Sequence, residues 1–301
     1  MTKRIFFIFT LLAFVAVFFL IPSHNSRACN KNGQEAVVPA TELLDQPYGD
    51  YDKQKFDIYL PSDRNTEATP VFFVIHGGGW VSGNKSAFNP LIKRLQEALP
   101  QVAFVSIGYR LADPKTMTNL FPTQEEDVKA CIEYIMNKSE EYGISKKFAI
   151  LGGSAGAHLA MLYAYKHGRH SHQPVAVASM VGPTNISNIF EQVMMTDDPD
   201  KKVYLGWFID AVGGTNEEKP ELCYTSSPIN YVTNDSPPTL LLYGGADNVV
   251  PSQQAEELAD KLTVYGVEHI FKLYPGRGHN LKGVYDEAIQ ELIFFLNVYL
   301  K

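Results

Sequence analysis

Short, unbroken apolar runs recur along the chain, each closed by glycine or proline or leading into a segment with apolar positions at helical spacing. Val71 to Ile75, Val102 to Ile107, Phe148 to Leu151, Val175 to Val181 and Pro238 to Gly244 are such runs, and His269 to Tyr274 is the last strand expected. Continuous runs of this length suit strands covered on both faces of a parallel sheet. Phe56 to Leu60 differs, alternating apolar with less apolar residues before Pro61, which fits an antiparallel strand with a solvent edge. Helical patterns fall between the runs, at Asp127 to Ile135 and His158 to Tyr165. Glu287 to Leu300 closes the chain with an apolar face of Ala288, Leu292, Phe295, Leu296 and Tyr299. Strands alternating with helices predict an α/β fold: a mostly parallel twisted central sheet with helices on both faces.

Three stretches depart from this rhythm. Between Gly182 and Ser227, Phe190, Val193, Met194, Met195, Tyr204, Trp207 and Phe208 are interleaved with a charged run from Asp197 to Lys202. This predicts a small cap insertion at about 183–227. Residues 29–45 lack clear periodicity and read as a linker, so the folded domain is expected over 46–301. Residues 1–28 read as an export signal or membrane anchor, with Lys3 and Arg4 ahead of an apolar stretch from Ile5 to Ile21. Ser26 and Ala28 suit cleavage before Cys29, whose place resembles the acylated first residue of a bacterial lipoprotein. A lipidated Cys29, a free Cys29 and an uncleaved anchor all stay open, placing the protein outside the cytoplasm, either periplasmic or tethered to a membrane.

Composition narrows the function. A chain of 301 residues with 45% hydrophobic content can bury one large core. Its net charge of -7 argues against a nucleic-acid partner, because neutralising phosphates needs a basic surface. Cys131 and Cys223 make one disulfide arithmetically available, but a small buried thiol is the preferred reading of Cys131. No Cys/His spacing suggests a metal site.

The chemistry concentrates in two glycine-rich turns. Gly152-Gly153-Ser154-Ala155-Gly156 stands between a strand and a helix, in the form Gly-x-Ser-x-Gly that marks a nucleophile elbow. Small flanking residues let the backbones crowd around a serine held on a sharp turn. Earlier, His76-Gly77-Gly78-Gly79-Trp80 follows a buried strand, where the triplet by itself reads first as a tight strand-to-helix turn and, alternatively, as a loop whose free amides point into a cavity.

With the HGGGW loop and the elbow together, the chain resembles the esterase/lipase branch of the α/β-hydrolases. That branch includes hormone-sensitive-lipase-like carboxylesterases and bacterial acetyl- and feruloyl-esterase relatives. Tyr109-Arg110-Leu111, Phe121-Pro122 and Asp127 match the family at further places, with Arg110 and Asp127 read as a structural pair. The resemblance implies backbone donors for an oxyanion at Gly78, Gly79 and Ala155. It also implies an acid at Asp247, in the loop after the Pro238 to Gly244 strand. Ser154, Asp247 and His279 then stand in the α/β-hydrolase order of nucleophile, acid and histidine, each after a predicted strand.

These residues make Ser154 the nucleophile, His279 its base and Asp247 the group that orients the histidine. Such chemistry requires no metal or organic cofactor. Trp80, Met194, Met195, Trp207 and Phe208 are candidates to line a substrate site. His76 and His158 are read as holding loops, and His167, His170 and His172 as a solvated helix end. The expected activity is hydrolysis of short-chain or carbohydrate-linked acyl esters, with a small-molecule or carbohydrate ester as partner. A kynurenine-formamidase-like amidase, a serine peptidase and a ligand-binding domain without turnover are the alternatives.

Overall fold

The structure, a computed structural model, describes residues 38–301. The export segment and most of the assigned linker therefore lie outside the described residues. In chain order the first elements are β1 (Thr41–Pro47), β2 (Lys55–Leu60), β3 (Val71–Ile75), α1 (Asn89–Ala98) and β4 (Ala103–Ile107). Next come α2 (Thr123–Asn137), α3 (Ser139–Tyr142), β5 (Phe148–Gly153), α4 (Ala155–Leu162) and β6 (Ala176–Met180). The inserted helices α5 (Ile186–Met194), α6 (Lys201–Val212) and α7 (Pro220–Thr225) follow, then β7 (Thr239–Gly244), α8 (Gln253–Val264), β8 (His269–Tyr274) and α9 (Tyr285–Tyr299).

The eight strands form one sheet in the order β1-β2-β4-β3-β5-β6-β7-β8. From β4 to β8 every pairing is parallel, and β1 and β2 join in antiparallel fashion. Alternate residues of the apolar runs serve opposite layers, which is why those runs show no polar face. Phe72 and Val74 of β3 pack in one core with Leu91 and Leu95 of α1 and Leu292 and Phe295 of α9. Phe73 and Ile75 pack in the other with Val128 of α2, Leu159 of α4 and Leu258 of α8. Among the described residues no helix is long and apolar enough to cross a membrane.

Two expectations need correction. The supposed linker, 29–45, runs into strand β1, which begins at Thr41 and pairs with β2. A bulge between Leu43 and Gln46, with Asp45 at φ 54°, breaks the two-residue period that would have revealed the strand. Because β1 covers it, β2 lies inside the sheet, with Phe56 and Ile58 fully buried, and is not a solvent edge. Lys85 fastens this corner by pairing with Asp45 at 2.8 Å and Asp57 at 2.7 Å.

The cap expected near 183–227 corresponds to α5, α6 and α7. Its base is bolted to α8 through Gln254, a fully buried residue whose Oε1 accepts from the amides of Thr184 and Asn185 at 2.8 Å. Its Nε2 donates to Gln192 of α5 at 2.6 Å. Cys131 and Cys223 are both buried free thiols.

Candidate active site

Strands β3 and β5 are neighbours, yet the chain leaves β3 toward β4 and leaves β5 toward β6. This reversal makes a crevice outside their carboxyl ends, the usual ligand position in a parallel sheet. Both glycine-rich turns open there.

At the end of β5 the backbone turns through Ser154 at φ 53° and ψ -124°, and α4 starts at the next residue. The flanking glycines are there because no side chain fits. A Cβ on Gly152 would lie 2.1 Å from the Gly156 carbonyl oxygen, and a Cβ on Gly156 would lie 2.1 Å from that of Ile75. Contact this close locks strand, helix and β3 together and leaves the serine at the apex. Strain is not confined to Ser154: Trp80 (φ 62°), Val181 (φ 50°) and Leu281 (φ 52°) are also left-handed, and all of them surround the crevice. A branched valine in that region is a marked outlier, as is common where function over-determines the backbone.

In the loop after β3, Gly78 has φ 111° and Gly79 φ 59°. Among the described residues no protein acceptor meets the N–H of Gly78, Gly79 or Ala155. Ala155 is also the first residue of α4, so its N–H shares the positive end of the helix. Two buried histidines brace these turns from behind. His76 stacks on Tyr109, with ring centroids 4.2 Å apart, and its Nδ1 lies 2.7 Å from the Gly77 carbonyl. His158 donates from Nε2 to the Ser226 carbonyl at 2.6 Å and accepts from Trp80 Nε1 at 3.3 Å. It thereby ties the glycine loop, α4 and the end of the cap together. Burial pushes both imidazoles down to about 4, so they are neutral and unsuited to serve as bases near pH 7.

His279, after β8, reaches both partners expected of it. Its Nε2 lies 2.9 Å from Ser154 Oγ, and its Nδ1 lies 2.8 Å from Asp247 Oδ2. Asp247 is buried, and its other oxygen accepts from the amides of Val249 and Val250 at 2.9 Å each. Two backbone donors thus fix the carboxylate with one oxygen facing the imidazole. Among the described residues no cluster of side chains suited to a metal ion occurs.

The five lining candidates divide. Trp80, Trp207 and Phe208 border a gap of about 10 Å³ next to Ser154, with Gly79 and Val250. Phe208 and Trp80 also pack on each other, 5.5 Å between rings, so part of their bulk is core. Met194 and Met195 do not line it: they stand at the end of α5, 49% and 73% exposed. Helical spacing placed their neighbours Ile189 and Val193 inward and turned the methionines outward.

A larger space of about 230 Å³ opens on the other side of Ser154 and His279, lined by Phe88, Met180, Val181, Leu281 and Tyr285. Sequence reasoning missed these residues. Met180 and Val181 end a parallel strand and Leu281 follows His279 by two positions, which was the available signal. His167 is also not simply solvated, since its Nε2 meets the buried Glu125 carboxylate at 2.5 Å beside Lys166 at 2.8 Å. Arg110 and Asp127 form the expected structural pair at 2.6 Å, with Gln54 also on the carboxylate.

Parallel sheet, strained serine elbow, histidine after the last strand and inserted cap define an α/β-hydrolase. Residues 56–262 match the BD-FAE family model, and the chain belongs to that family. It is similar to Esterase LipC of Mycobacterium tuberculosis, 28% identical over 272 residues, which is 88% of this chain and 65% of that protein. Esterase LipQ of the same organism is 30% identical over 74% of this chain and 53% of its own length. The chain therefore spans about half to two thirds of these curated relatives. Among solved structures, a truncated carbohydrate esterase from gut microbiota superposes with a TM-score of 0.74 at 25% identity, covering 86% of this chain and 96% of that one.

Proposed function

We propose that this protein is a serine carboxylesterase acting on short-chain acyl esters, carbohydrate-linked ones included, through Ser154, His279 and Asp247. The observation that carries the reading is the position of His279, within hydrogen-bonding reach of Ser154 Oγ on one side and Asp247 on the other. Ser154 Oγ attacks the ester carbonyl as its proton passes to His279 Nε2. The carbonyl oxygen gains negative charge against the free amides of Gly78, Gly79 and Ala155; one such donor contributes roughly 3 kcal/mol. Asp247 holds the Nδ1–H tautomer and stabilises the imidazolium. The carbon–oxygen bond to the alcohol then breaks, the alcohol leaves with the proton from Nε2, and the acyl group stays on Ser154. Water repeats the sequence, releasing the acid and restoring the serine.

Relatives named as esterases and a neighbour described as a carbohydrate esterase support this class of substrate. The apolar run of residues 5–21 supports export, to the periplasm or to a membrane tether at Cys29. A fluorophosphonate probe should label wild type and leave Ser154→Ala unlabelled. The same variant should lose at least about 10³-fold in turnover of phenyl acetate while staying folded. Equal labelling of both proteins would sink the assignment.

A further inference from the structure

Resting on the esterase reading, we infer that the two spaces beside Ser154 divide the substrate: the alcohol occupies the groove lined by Phe88 and Tyr285, and the acyl group points under Trp207. The proton balance fixes the direction. As the tetrahedral intermediate collapses, the bond from carbon to the alcohol oxygen breaks, and that oxygen takes the proton held on His279 Nε2. The departing alcohol therefore lies on the side that His279 lines. His279 borders the 230 Å³ groove, together with Ser154, Phe88, Met180, Leu281 and Tyr285. The gap under the cap is bordered by Ser154, Gly79 and Trp207 but not by His279, so it receives the remaining substituent of the carbonyl carbon.

Size then sets what each side accepts. The cap-side gap holds about 10 Å³, close to the room a single water needs, and so suits a methyl group. Trp207 closes it by lying on the glycine loop: a Cβ on Gly79 would sit 3.0 Å from the indole Cγ. Across the serine, Phe88 holds the groove at its present width. It is already close to the elbow, for a Cβ on Gly153 would lie 2.7 Å from the Phe88 ring. Beyond the catalytic Ser154 and His279, the groove is lined by the aromatic rings of Phe88 and Tyr285 and the aliphatic Met180, Val181 and Leu281, with further polar groups only at Asn280 and the Tyr285 hydroxyl. That lining fits an alcohol presenting one flat, apolar ring face. An aryl alcohol and the apolar face of a sugar ring share this chemistry. Acetyl esters of ring alcohols are thus the substrates the two spaces fit together.

The test crosses two ratios of kcat/KM with two substitutions. One ratio compares ring with ringless alcohols at fixed acyl group, using 1-naphthyl acetate and an acetylated methyl xyloside against methyl acetate. The other compares octanoyl with acetyl at a fixed naphthyl alcohol. Phe88→Ala should lower the ring ratio about tenfold and leave the acyl ratio unchanged, whereas Trp207→Ala should raise the acyl ratio about tenfold and leave the ring ratio unchanged. Comparing each variant with wild type on the same substrate cancels intrinsic leaving-group reactivity. Whichever of naphthyl and xyloside responds more to Phe88→Ala identifies the source of the ring. Phe88→Leu and Trp207→Phe should give smaller changes of the same sign, which keeps the test open if an alanine variant does not fold. Crossed effects, with Phe88 governing the acyl ratio and Trp207 the ring ratio, overturn the assignment, as does a folded pair that moves neither. A wild type without ester turnover would instead fail the esterase reading itself.

Discussion

The elbow around Ser154 is held by close backbone contact, whereas the cap above it is held by side chains. Gly152 and Gly156 bring β5, α4 and β3 so near that a single added carbon would overlap a carbonyl oxygen. In the cap, Gln254 reaches across to Thr184, Asn185 and Gln192, and Phe208 fits between Trp80 and Phe190. Many side-chain sets can fill a space, but only glycine leaves one empty. The elbow therefore has one solution in sequence, and the cap has many. The sharpest way to break this contrast is Gly156→Ala. Its new Cβ meets backbone that cannot rotate away, so the substitution should cost about 4 kcal/mol or prevent folded protein from accumulating. Urea unfolding of the purified variant measures it. A loss below about 1 kcal/mol would mean that the elbow relaxes as readily as packed side chains do.

That contrast also accounts for which parts of the fold and site are legible in the sequence. Ser154 and His279 stand after apolar runs whose strand ends converge at one edge of a parallel sheet, and the family resemblance singles out Asp247 among the acids. Gly78 and Gly79 are legible through the family resemblance of the HGGGW loop, and their positive φ values give the physical reason that glycine stands there. Strand β1 is not legible, since its bulge disrupts alternation and most of its residues are exposed. Phe88 and Tyr285 were hidden differently: nothing in their local pattern says that α1 and α9 begin at the same crevice. The methionines of α5 misled because composition identifies a cap, while only its packing decides which face turns inward. His167 reads as solvated from sequence because Glu125, its partner, comes from a helix far away in the chain.

A smaller effect separates the two regions by pH. His158 joins them, since it belongs to α4 yet binds both Trp80 of the glycine loop and the Ser226 carbonyl at the end of the cap. Its folded value near 4 lies below the ordinary 6.5 because burial disfavours the charged ring; nearby Lys166 also lowers it, while the Ser226 carbonyl and Glu125 oppose the shift. The unfolded chain therefore binds more protons between these values. Stability from this residue is fully present above pH 6.5 and is lost as pH falls toward 4, by about 3 kcal/mol. Urea unfolding at pH 7.5 and pH 4.5 should show His158→Gln less stable than wild type at the higher pH. The gap should narrow by about 2 to 3 kcal/mol at the lower. A gap that stays constant would mean that His158 titrates normally and that the junction is wetter than its burial indicates.

The smallest effect expected lies at the edge of the cap. Met195 follows α5 and is 73% exposed, and Met194 ends that helix at 49%. Truncating an exposed side chain removes little buried area, so Met194→Ala and Met195→Ala should each change stability by no more than about 0.5 kcal/mol. Trp207, one helix later, touches Gly79 and borders the gap at Ser154, so the cap is expected to act through α6 and not through the end of α5. The octanoyl-to-acetyl ratio of kcat/KM in each methionine variant should accordingly stay within about twofold of wild type, well short of the change expected for Trp207→Ala. Should Met195→Ala shift that ratio as far as Trp207→Ala does, α5 must swing onto the substrate in the working enzyme. The side-chain contacts that hold the cap in place would then be the ones that break and re-form with each turnover.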